Sequence, residues 1–240
     1  MLYWADSDAG EIQRANLDGS QVQTIVSGLD EPEGIAVDAS GGKVYWTESE
    51  SVKRANLDGS QVESLGTALG SDLALDVPEG KTYLANWKGT IYRTGLGGSP
   101  VETLVTEAGA SEVIALDLSR GMMYWGGWRG EELRRADLDG SQPEIIVTGV
   151  DRARDLAVDE AGGKLYWASD TGVQRADLDG SQVETLFSEQ SMGIALDVAG
   201  GKIYWSEWIE ERIRRANLDG SQVETIVTGL GWPRDIALSP

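Results

Sequence analysis

At 240 residues with 31 glycines, the chain has the length of a single all-β domain and about twice the usual share of glycine. It has no cysteine and no histidine, which excludes disulfides, thiolate catalysis, zinc–thiolate sites and a Ser-His-Asp triad. A formal charge of −20 sets the chain against nucleic acid phosphates and anionic membrane surfaces, and no stretch approaches the ~18 apolar residues of a membrane-spanning helix.

Met1 to Asp6 enter a strand pattern at once, without the basic and apolar regions of a signal peptide. Tyr3-Trp4-Ala5-Asp6 is the first of six aromatic strands; the others are Tyr45-Trp46-Thr47-Glu48, Tyr83-Leu84-Ala85-Asn86, Tyr124-Trp125-Gly126-Gly127, Tyr166-Trp167-Ala168-Ser169 and Tyr204-Trp205-Ser206-Glu207. Each opens one of six units that follow without linkers, at 1–42, 43–80, 81–121, 122–163, 164–201 and 202–240. A second predicted strand ends in a turn, as in Arg14-Ala15-Asn16-Leu17-Asp18-Gly19-Ser20. A third follows, as in Val22 to Val26, and a short apolar fourth closes the unit, as in Gly34-Ile35-Ala36-Val37-Asp38. The apolar fourth strands suit burial on both faces. Asp-Gly between two strand patterns is a hairpin signal, because glycine accepts positive φ. Five units keep it, and Gly97-Gly98 stands for it in the third. Four short strands per ~40 residues is the spacing of a propeller blade.

The units resemble the YWTD, or low-density-lipoprotein-receptor class B, repeats. The Tyr-Trp-x-acid strand, the Arg-Ala-Asn-Leu-Asp-Gly-Ser turn and the segment Gly231 to Leu238 carry the resemblance, which runs over the whole chain. It implies a six-bladed β-propeller with four antiparallel strands per blade. It also implies that the apolar strand is innermost and the Tyr-Trp strand second, so that Asp235 to Leu238 pairs beside Leu2 to Ala5 and closes the ring. Such closure removes open edges. The resemblance implies an extracellular or cell-surface setting and a monomer that binds other proteins. The family's cysteine-rich neighbouring modules are missing here, and the fourth motif residue is Asp only at Asp6. Arg14 to Leu29 and Arg215 to Leu230 differ at two positions only, which fits recent amplification or an engineered repeat. Unit lengths of 42, 38, 41, 42, 38 and 39 suggest a three-blade ancestor duplicated once.

The resemblance puts the Asp-Gly-Ser turns on the bottom face. The loops after each Tyr-Trp motif and those entering the innermost strands lie on top. The bottom turns are nearly invariant and the top loops differ in every unit, as expected of a recognition surface on a rigid frame. The top loops carry Trp87, Trp128, Trp208 and Trp232. Interface hot spots favour Trp, although each of the four also suits packing over a neighbouring loop. Glu33, Ser71, Glu112, Arg154, Met192 and Arg234 are expected to ring the channel mouth, with Arg129 and Arg152 nearby. Mixed charge there suits a peptide or zwitterionic ligand, or a ring that neutralises itself. Asp38, Asp76, Asp117, Asp159 and Asp197 end the innermost strands and are read as caps of their own turns, not as a metal site. Arg14, Arg54, Arg93, Arg135, Arg175 and Arg215 recur once per unit and read as ion pairs between blades.

These features predict a module that binds a protein or peptide on its top face, with no cofactor. A glycan-binding propeller with Trp platforms and a scaffold without an evolved ligand are the alternatives. Enzymatic activity is not expected, since no carboxylate pair stands out from the repeat.

Overall fold

In a computed structural model, residues 1–49, 51–67, 70–109 and 111–239 are described. They form twenty-four strands in six four-stranded antiparallel sheets. Five sheets are meanders of consecutive strands, such as Pro32–Asp38, Lys43–Glu48, Ser51–Asn56 and Glu63–Thr67. The sixth joins the last strand, Pro233–Leu238, to the first, Leu2–Asp6, with Leu238 opposite Leu2 and Ile236 opposite Trp4. Each sequence unit is thus offset by one strand from a blade. The innermost strands contact one another in a ring, 233–238 to 32–38, 72–76, 113–117, 153–159, 194–197 and back. No helix is long and apolar enough to cross a membrane among the described residues.

The Tyr-Trp strands make the core. In Leu2–Asp6 all five residues are buried, because strand alternation sends Tyr to one neighbouring blade and Trp to the other. Tyr3 shares a core cluster with Trp46, Tyr83 with Trp125, Tyr124 with Trp167, Tyr166 with Trp205, and Tyr204 with Trp4. Leu84 takes the place of Trp opposite Tyr45. The motif therefore records one side of each seam between blades, repeated around the ring.

The innermost strands pack on both faces: Ala36 and Val37 lie against two different core clusters, as do Ala157 and Val158, and all four are half-buried beside the channel. One expectation needs correction. The repeated arginines do not make ion pairs between blades. Their ion pairs lie within a blade, as in Arg54–Glu63 and Arg215–Glu224. Across the seam the guanidinium donates to a main-chain oxygen, from Arg14 to Leu57, Arg54 to Leu96 and Arg93 to Leu138, and so around the ring. The turn carbonyl sits at a fixed place in every unit, whereas a carboxylate partner would have to be supplied by each neighbouring blade.

Of the Asp-Gly pair in each bottom turn the glycine alone has positive φ, +81° at Gly19 and +84° at Gly180. The sequence gives no warning of a second left-handed residue two positions on, as at Gln21 and Gln182. The turn is consequently longer than a two-residue hairpin, with Asn16 N–H bonded to Ser20 O.

Candidate functional site

The top of the channel opens into a cavity of ≈ 920 Å³. Its wall is built by the six residues that enter the innermost strands, one per blade: Glu33, Ser71, Glu112, Arg154, Met192 and Arg234. Loops after the Tyr-Trp motifs raise the rim, with Trp87, Trp128 and Arg129 from two adjacent units, and Arg152 and Trp232 beside their strands. Of the ten residues expected at a binding face, Trp208 alone does not line this cavity. It is half-buried and stacked on Trp232, with ring centroids 5.2 Å apart and planes 22° apart. Trp87 and Trp128 are 53% and 42% exposed, so these two rings are free to meet a ligand and Trp208 is packing behind a third.

Apart from Glu112, the charges of the wall and rim fall into three groups. Arg234 donates to Glu33 at 2.5 Å, with its guanidinium over the Trp232 ring. Arg152 and Arg154 both reach Asp170, at 3.1 and 2.9 Å, and Gln190 donates to the same carboxylate. Burial pushes the Asp170 carboxyl up, but the bonds from Arg154 and Gln190 outweigh it and leave a net downward shift. Arg152 is held at φ +56°, a strained setting for a non-glycine residue at the mouth of the cavity. The third group is unpaired among the described residues. Arg129 lies 4.6 Å from the centroid of Trp128 and 5.2 Å from that of Trp87, and Lys88 lies 5.2 Å over Trp87.

Three aspartates form the floor. Asp72, Asp155 and Asp235 stand at the second residue of the mouth segment in alternate blades, where the others carry Gly34, Val113 and Gly193. Each accepts its own blade's next N–H and one from the following blade, as Asp155 does from Leu156 and Ile194, both at 2.6 Å. A Cβ at Gly34 would press on Asp72 Oδ1, which is why the partner position stays small there. Burial and mutual repulsion hold Asp72 and Asp155 well above the ordinary carboxylate range, and burial pushes Asp235 up to about 6. Sequence reasoning missed this triad. Its signal was the alternation of Asp with Gly or Val, which repeats every two blades while the unit lengths repeat every three.

The remaining carboxylates of interest are structural. Asp38, Asp117, Asp159 and Asp197 accept the N–H three residues on, at 2.7 to 3.0 Å, and Asp76 does so at 3.1 Å. Asp6 accepts from Ala9, Gly231 and Trp232 N–H groups and so ties the first unit to the last. Among the described residues no group of three or more acidic side chains is arranged to hold a metal ion.

The family described as low-density lipoprotein receptor repeat class B matches residues 1–39 and 201–238. A Homo sapiens protein described as low-density lipoprotein receptor-related protein 5-like protein is 31% identical over 134 residues, 52% of this chain and 53% of that protein. Low-density lipoprotein receptor-related protein 5 of Mus musculus is 42% identical over 48 residues, 20% of this chain and 3% of that protein. The matches thus span about half the length of the first relative and a small part of the second. Among solved structures, a chain of the crystal structure of a nidogen/laminin complex superposes with a TM-score of 0.88, covering 98% of this chain and 97% of that one at 18% identity. That likeness is one of fold.

Proposed function

We propose that this chain, a six-bladed propeller of low-density lipoprotein receptor class B repeats, is a monomeric binding module that takes a protein or peptide in the cavity of its top face. The observation that carries the reading is the cavity itself. It is built from the residues that differ most between units, on a frame whose seams and bottom turns are nearly the same in every unit. Exposed Trp87 and Trp128 supply apolar area with little rotamer entropy to lose, and the arginines around them supply orientation. Trp232 forms the opposite wall, backed by Trp208. The structural relative solved in a nidogen/laminin complex supports protein recognition by a propeller of this shape.

Nothing in the wall makes a reacting pair. Apart from Glu112, which stands alone, the acids named above hold backbone N–H groups or arginines, and the binding reading is favoured over an enzymatic one on that ground. A glycan reading keeps the Trp platforms but asks for similar sites in several blades, and the aromatic rim is confined to two adjacent units and one wall. The test is to screen the immobilised chain against a random peptide library and a glycan array. Peptides whose binding is lost in Trp87→Ala support the proposal. Multivalent glycan hits without such peptides would move it to the second reading.

A further inference from the structure

Glu112 sits in the cavity wall with 5% of its surface exposed. Among the described residues it is the only acidic side chain whose two carboxylate oxygens are both buried and both without a partner; only its own backbone N–H comes near. Its place is set by packing. A Cβ on Gly127 would collide with Glu112 Oε2, so the carboxylate occupies space that the fourth motif residue fills in other units. There the acids have donors: Asp6 holds two N–H groups of the ring closure, and Glu48 and Glu207 hold the indole N–H groups of Trp46 and Trp205. In this unit the indole of Trp125 donates instead to Ala108 O at 2.9 Å. Glu112 is left with none.

A buried carboxylate without donors is costly, so a bound group that supplies them gains more than it would at the surface. Burial pushes the Glu112 carboxyl up, while Arg129 and Arg154 pull it toward ionisation without donating to it. Arg154 is engaged with Asp170, and Arg129 lies on the faces of Trp87 and Trp128. Two parallel N–H donors from one guanidinium meet both oxygens at once, which a single amide N–H cannot do. Beside this recess the need is reversed. Lys88 and Arg129 share the Trp87 ring and have no carboxylate partner among the described residues, an unusual surplus in a chain of net charge −20.

We infer that Glu112 anchors a basic residue of the bound peptide, its carboxylate turning out of the recess beside Gly127 to meet the guanidinium or ammonium group, and that an acidic residue of the same peptide lies over Trp87 on Lys88 and Arg129. This rests on the reading of the cavity as a peptide site and gives its ligand a charge pattern.

The test uses a random dodecapeptide display library against the full chain and against Glu112→Gln. The parent pool is expected to converge on a fixed Arg or Lys with an Asp or Glu within a few residues. The Glu112→Gln pool should lose the basic position while the variant melts no lower than the parent. A synthetic peptide from the parent pool, remade with citrulline for its arginine, should bind the parent at least tenfold more weakly. This arm needs no variant protein to fold. Equal affinity of the citrulline peptide, or a parent pool without a basic position, overturns the inference while leaving the cavity as a peptide site. A parent pool with no Trp87-dependent peptide overturns that wider reading.

Discussion

Arg215 Nη1 donates to the main-chain oxygen of Leu17 across 2.7 Å, joining residues 198 apart in sequence. The same bond runs from Arg135 to Leu178 and from Arg175 to Leu218, so the seam where the chain closes is held like the seams inside it. Removing it should cost more than the surface ion pair on the same side chain. Arg215→Ala is expected to lower stability by about 1.5–3 kcal/mol, the range of hydrogen bonds to charged groups. Glu224→Gln, which removes only the exposed partner, should leave the denaturation midpoint nearly unchanged. Equal effects of the two variants in urea melts would show that the seam bond adds nothing.

Ring closure also makes the last strand indispensable. Deleting residues 231–240 removes the partner of Leu2–Asp6 and the N–H groups held by Asp6. It exposes two unpaired strand edges. The truncated chain is expected to lose its cooperative melting transition and to associate. A sharp transition at the parental temperature would contradict the closure.

Two glycines at opposite ends of an outermost strand, Gly180 in a bottom turn and Gly229 in a top loop, separate backbone strain from collision. Gly180 has φ +84°, and a side chain there would strike Ile146 O of the preceding blade. Gly229 has φ +75° with open space around it. Gly229→Ala should therefore cost about 1 kcal/mol, the left-handed penalty alone, and Gly180→Val about 3 kcal/mol, the upper end of backbone strain. Chemical denaturation of the two variants checks the order. A reversed order would mean that the outer strand moves aside freely.

What could be read from residues alone follows from how often each physical demand repeats. Tyr-Trp strands, Asp-Gly turns and apolar Ala-containing strands recur once per blade, so the fold, the strand pairing of Leu238 with Leu2 and the ring of mouth residues were all legible. Arg135 was visible as a repeated residue, but its acceptor is a backbone oxygen, and a backbone oxygen leaves no mark in the sequence. Trp208 could not be told from Trp87, because both follow a motif strand. Only packing shows that one stacks on Trp232 while the other stands in solvent. Glu112 was placed at the mouth correctly, but its lack of donors depends on where the Trp125 indole turns.

The aspartate floor sets a pH window. Asp235, Asp72 and Asp155 have folded-state pKa values above the 3.8 of an unfolded chain, Asp235 at about 6. A raised acid binds its proton more tightly when folded, so its contribution is fully present below pH 3.8 and is lost as pH rises through about 6. The capping and ion-paired acids Asp117 and Asp170 are shifted down. Their contribution is present above 3.8 and is lost as pH falls below it. Stability should therefore peak between pH 4 and 5 and decline toward neutrality, Asp235 alone accounting for on the order of 3 kcal/mol at most through its two-unit shift. Asp155→Asn should flatten the decline between pH 4 and 7 whatever it does to absolute stability. Urea melts across that range that fall equally steeply for parent and variant would show that repulsion among surface charges, not the floor, sets the slope.

Trp87 and Trp208 separate recognition from packing. Trp87 is 53% exposed at the rim, with Lys88 and Arg129 over its ring. Its removal leaves no buried void. Trp87→Ala is expected to move the melting temperature by a degree or less and to weaken any top-face peptide by about 2 kcal/mol or more, the signature of an anchor residue. Trp208 is half-buried against Trp232, and its indole N–H is buried without a partner. Trp208→Ala removes the stacked face and should lower stability by about 1–3 kcal/mol, below the range for fully buried aromatics. Its effect on affinity is indirect, through the looser Trp232 wall, and should be smaller than that of Trp87→Ala. Calorimetric titration of one selected peptide into the parent and both variants, beside their thermal melts, gives all four numbers. A Trp87→Ala variant that binds like the parent while Trp208→Ala does not would move the site from the cavity to the outer side of the Trp208–Trp232 stack.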